Sequence, residues 1–158
     1  MPKLSPHFTT EEFEHSNKAI ELGVDNTMPA GAIINAKALC VNVLEPIRAH
    51  YNAPINISSG YRNAKVNKAV GGAKASQHTT GQAVDFTVRG YNTREVFEWC
   101  VANIDYDQII YEVVKNSKGI PIDIWIHISY NIEGNRKEAL TAIRTQGIKG
   151  TRYKPFRG

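Results

Sequence analysis

The order of patterns along the chain predicts an α+β fold with a small, mainly antiparallel sheet and helices packed on one side of it. Three observations lead there. Helical spacings of apolar residues alternate with strand-like runs through the first two thirds of the chain. The last two strong strand patterns, DQIIYEVV and PIDIWIHISY, are separated only by the turn-like NSKG, short enough for antiparallel neighbours. Within IDIWIHIS, isoleucines alternate with polar and aromatic residues, which gives a strand one apolar face. With 158 residues, 42% hydrophobic and 22% charged, the chain suffices for one core, so residues 1–158 are read as a single domain.

FTTEEFEHS opens with a capping box, Thr9 bonding forward and Glu12 reaching back, and predicts a short first helix. GAIINAKALCVNVLEPIRAHY has Ile33, Ala36, Cys40, Val43 and Ile47 at spacings of three and four, one face of a helix that Pro46 should bend near its end. NAPINIS reads as a strand, NAKVNKAV as a short helix and GG as a flexible break. In QAVDFTV, Val84, Phe86 and Val88 alternate with Ala83, Asp85 and Thr87, so a strand sends the first set into the core and Asp85 to the opposite face. NTREVFEWCVANI is a helix with Thr93 as its expected cap. In the last strand, Ile122, Ile124, Ile126 and Ile128 should form the core face, with Asp123, Trp125, His127 and Ser129 on the other.

Cys40 and Cys100 fall within helical apolar patterns and read as small buried hydrophobes. The net charge of +4 favours an anionic partner without selecting one. Nucleic-acid binding needs clustered basic and aromatic residues on one face, and only RYKPFR in the tail offers that, where a frayed, solvated end is the simpler expectation. No apolar run approaches the ~20 residues of a membrane span. The start MPKLSPHFTTEEF lacks a basic-then-apolar leader, which predicts synthesis in the cytoplasm and, for any action outside, release by another system.

A catalytic zinc site keeps three protein ligands and one open position, and His78, Asp85 and His127 would supply such a set. Gly81 lets the chain turn between the first two, and strand parity sends Asp85 and His127 off one side of the sheet.

SGYR at Ser59 to Arg62, S-x-H-x-x-G-x-A-x-D at Ser76 to Asp85 and W-x-H at Trp125 to His127 together resemble the zinc D-alanyl-D-alanine carboxypeptidase family of peptidoglycan peptidases. That family also includes D-Ala-D-Ala dipeptidases and phage endolysins that cut the L-alanyl-D-glutamate bond. LSPHFTTEEFEHS and NVLEPIR look like its small stand-alone members, many of phage or prophage origin. The resemblance implies a Hedgehog/D-Ala-D-Ala peptidase-like fold with the zinc on the open face of the sheet and His78, Asp85 and His127 as its ligands. It further implies hydrolysis of a bond in the peptidoglycan stem peptide, with Arg62 as the anchor for a substrate carboxylate. A phage-type lysis system would then bring the enzyme to the wall.

Several relatives carry an acid three residues before the last histidine, where this chain has Ile124. Two general-base candidates follow. Glu112 lies in a Q-x-x-x-E strand like that of small family members, where a neighbouring strand can bring it close. Asp123, the alternative, is four residues from His127, ~13 Å along an extended strand. Ser76, Gln108 and Trp125 are the remaining expected substrate contacts. The rival expectation is a zinc-containing recognition domain of the same fold without hydrolysis.

Overall fold

A computed structural model describes residues 2–158. Its N-terminal part is a small hairpin, β1 (Lys3–Ser5) and β2 (Phe8–Thr9), followed by α1 (Thr10–Glu14) and α2 (Asn17–Leu22). The capping box is present: Thr9 Oγ1 accepts from the Glu12 amide, and Glu12 Oε1 accepts from the Thr9 amide at 3.2 Å. Neither the hairpin nor α2, which Ser16 caps, stands out by periodicity, because each is too short to show one.

Next comes one continuous helix made of α3 (Ala30–Leu39), a π turn at Cys40–Leu44, and α4 (Glu45–Tyr51). Pro46 does not simply bend the end of this helix. It has no N–H for the Asn42 carbonyl, and the widened turn just before it accommodates that loss by shifting the bonding pattern by one residue. Ala36, Leu39, Cys40, Val43, Leu44 and Ile47 are fully buried. The 22 residues Ala30–Tyr51 are, by length and composition, apolar enough to cross a membrane, contrary to expectation; here their apolar face packs into the core.

The sheet holds six strands in the order β3-β4-β6-β5-β7-β8. They are β3 (Ile55–Ser59), β4 (Ala83–Val88), β5 (Gln108–Lys115), β6 (Pro121–Ser129), β7 (Glu138–Thr145) and β8 (Thr151–Pro155). Only β5 and β7 run parallel. Between the strands lie α5 (Ala64–Ala69) and α6 (Thr93–Asn103). One face of the sheet meets the long helix and α6: Val84, Phe86, Ile109, Ile126 and Ile128 pack with Leu39, Val43, Phe97 and Cys100. Both cysteines are free and buried, and burial pushes each thiol up to about 12.

Three further expectations need correction. Asn92, not Thr93, caps α6, its Oδ1 accepting from the Glu95 amide at 3.1 Å; Thr93 is already the first helical residue. The isoleucine face of β6 is core only in its second half, since Ile122 is exposed and Ile124 half-buried where the β5–β6 hairpin runs beyond its cover. The tail is not frayed: β8 pairs with β7, and Phe156 packs edge-on against Phe97 with ring centroids 4.9 Å apart.

Candidate metal centre

On the other face of the sheet, register brings the chemistry together. Asp85 on β4 lies opposite His127 on β6, and His127 lies opposite Ile110 on β5. One row along, Trp125, Glu112, Ala142 and Tyr153 stand side by side on β6, β5, β7 and β8.

His78 arrives from outside the sheet, on a single 3₁₀ turn, Gln77–Thr80. Ser76 caps that turn, its Oγ accepting from the His78 amide at 3.2 Å. Gly81 ends it at φ 76°, and a Cβ there would run into the Ala32 backbone, so both conformation and space require glycine. Two reciprocal bonds lace the turn to the loop after β3. His78 Nδ1 lies 2.7 Å from the Gly60 carbonyl, and the Arg62 amide donates to the His78 carbonyl at 3.0 Å. A carbonyl can only accept, so Nδ1 carries a proton and Nε2 is the ring atom left to bind a metal. Gly60 is itself pressed on the Phe13 backbone, with no room for a Cβ.

His78 and His127 are 2% and 9% exposed. Asp85 Oδ1 lies 3.3 Å from His78 Nε2 and 3.1 Å from His127 Nδ1, and the donor atoms of all three residues lie within 4.8 Å of one another. Donors bound tetrahedrally to zinc at ~2.0–2.2 Å stand ~3.4 Å apart, so two imidazoles and one carboxylate at these separations fit such an ion. Burial pushes the Asp85 carboxyl up, but the two histidines more than offset it and hold the group well below the usual carboxylate range. It therefore stays ionised and able to bind a cation.

These residues line a cleft of about 420 Å³ together with Arg62, Ser76, Gln108, Glu112 and Trp125. Glu112 is a diagonal neighbour of His127, at ~7–8 Å between α-carbons. Burial raises its pKa, and Asp85 adds to the rise; the Trp125 indole N–H, donating to Oε2 at 3.1 Å, opposes it. Arg62 Nε is buried without a partner, and burial lowers its pKa although Asp85 and Glu112 favour its charge. Gln108 Nε2 is engaged with Glu138 at 2.6 Å. Asp123 stands apart: it is exposed, pairs across to Val114 and does not line the cleft.

Several side chains at the site carry no sequence signal. Buried Asn26 braces the Arg62 loop, donating to the Tyr61 carbonyl at 2.9 Å and accepting from the Asn63 amide. Arg136 and Tyr153 line the cleft from the last 30 residues, where only the alternation in EALTAIRT hinted at a strand.

No curated protein sequence matches the chain. Residues 6–128 match the peptidase M15 family, a family of zinc metallopeptidases, and that segment contains His78, Asp85, Glu112 and His127. With more than three quarters of its length matched, this chain belongs to the peptidase M15 family.

Proposed function

We propose that the protein is a zinc-dependent hydrolase of the peptidoglycan stem peptide, cutting a bond next to a D-residue or D-glutamate. One observation carries this reading: the His78, Asp85 and His127 donors converge on the floor of a cleft that Arg62 and Glu112 also line. A zinc ion held by those three side chains supplies Lewis acidity, polarising a peptide carbonyl and making a water nucleophilic near neutral pH.

The remaining chemistry belongs to the chain. Glu112, a carboxylate desolvated by the cleft wall, takes a proton from the water and passes it to the leaving amine. Trp125 fixes the carboxylate by donating to one of its oxygens, which leaves the other for that transfer. Arg62, held through its backbone to the His78 carbonyl, receives a substrate carboxylate in the fork of its guanidinium. Its desolvation by the cleft wall strengthens that pairing. Ser76 holds the His78 turn, and its hydroxyl hydrogen is free for substrate. On this reading the enzyme meets its substrate at the wall, after release by a lysis system.

Mass analysis of muropeptides after digestion tests the proposal, with wild type, Glu112→Gln and chelator-treated protein compared. Loss of terminal D-alanine, release of a dipeptide, or L-Ala/D-Glu scission identifies the bond. Glu112→Gln should lose at least ~100-fold in kcat, the usual contribution of a general base, while retaining zinc. A recognition domain without hydrolysis would bind muropeptides and leave every mass unchanged.

A further inference from the structure

Residues 129–158 lie beyond the matched segment, yet they put a second guanidinium into the cleft. Arg136 sits in the loop leading to β7 and is held from below by Asp107, a carboxylate only 1% exposed. Asp107 accepts from the Arg136 backbone amide at 2.8 Å, from Nε at 3.1 Å and from Nη2 at 3.0 Å. It also accepts from Gln77 Nε2 at 2.8 Å, which ties this support to the turn carrying His78.

The geometry of that support matters. Nε and Nη2 are engaged along one edge of the guanidinium, so the plane is fixed and little side-chain entropy remains to be lost on binding. The Nη1–Nη2 edge keeps free donors, and the side chain is 56% exposed. The carboxylate near Nη1, Glu138 Oε1, is 3.9 Å away, too far for a hydrogen bond, and Gln108 Nε2 donates to it at 2.6 Å. A planar fork, pre-oriented by a buried acid and open to the cleft, matches a carboxylate.

We propose that Arg136 is a second carboxylate-binding point, so that the cleft takes a peptide with two carboxylates, one on Arg62 and the other on Arg136. This rests on the peptidase reading above. The stem peptide offers two such groups, the α-carboxylate of D-glutamate and the C-terminal carboxylate.

Three synthetic stem pentapeptides decide the matter: one with both carboxyls free, and two with one or the other amidated. Affinity is measured by calorimetry on the zinc-loaded Glu112→Gln protein, with and without Arg136→Gln or Glu138→Gln added, and kcat/KM on enzymes with Glu112 intact. Each amidation should weaken binding to the parent protein by about 10- to 100-fold, the value of one charge-assisted pair. With Arg136→Gln, one amidation should lose its effect while the other keeps it. Glu138→Gln, which removes a repelling charge and leaves the Asp107–Arg136 pair whole, should tighten the free-acid peptide by about 2- to 5-fold, the range of an exposed charge pair. Indifference of the parent to either amidation, or amidation effects that Arg136→Gln leaves unaltered, overturns the proposal. Should Arg136→Gln fail to fold, unchanged or weaker binding with Glu138→Gln overturns it equally. Carboxylate-dependent binding with no cleavage of any peptide would instead sink the peptidase reading and leave Arg136 as a ligand-binding residue.

Discussion

Glu112 and Trp125 form the pair on which the rate should be most sensitive to pH. Only the ionised carboxylate can take a proton, so kcat/KM rises as pH climbs through the Glu112 pKa, which burial pushes up and a bound zinc ion would pull down. The indole N–H favours the ionised form. Trp125→Phe is therefore expected to raise that pKa further and to move the acid limb of the kcat/KM profile to higher pH; a limb that stays put or moves down assigns the proton transfer to another group. The residues of the candidate metal centre were legible, since histidine and aspartate at S-x-H-x-x-G-x-A-x-D and W-x-H spacing carry their chemistry in their identity. The hydrogen bond from Trp125 to Glu112 was not, because it depends on which β5 residue lies opposite which β6 residue.

The local elements fix His78 more tightly than the sheet does. Its imidazole orientation depends on the Gly60 carbonyl, and Gly60 on bare contact with the Phe13 backbone of α1. Gly60→Ala should force the loop away from α1, costing about 1–3 kcal/mol of stability by urea unfolding. It should also weaken zinc affinity by about 10- to 100-fold, the usual loss when a ligand histidine loses its outer partner. Normal zinc affinity in a destabilised variant would show that the carbonyl does not orient the ring. Capping and periodicity were readable here, as the Thr9–Glu12 box and the long apolar helix demonstrate. The π turn ahead of Pro46 was not, since a proline signals only that a bond is lost and not how the backbone absorbs the loss.

At the scale of the molecule, zinc should stabilise the folded chain because Asp85 and the two histidines are gathered only on folding. With zinc at about 100 times its Kd the gain is ~2.7 kcal/mol, or ~5–11 °C in Tm for a chain of this size, and chelator should remove it in a thermal melt; an unmoved Tm would deny a metal site in the native state. Deleting residues 151–158 should lower Tm and promote aggregation, since it bares the edge of β7 and strips Phe156 from Phe97; light scattering and a melt report both. The sequence by itself determined the α+β class, the core faces of the long helix and β4, and the residue types of the candidate metal centre, because periodicity and side-chain chemistry are local properties. Tertiary structure alone decided that Glu112 rather than Asp123 faces the cleft, that β7 runs parallel to β5, and that Arg136 reaches the site. Those outcomes follow from strand register and from contacts between distant segments, and no local pattern encodes which partner a strand will find.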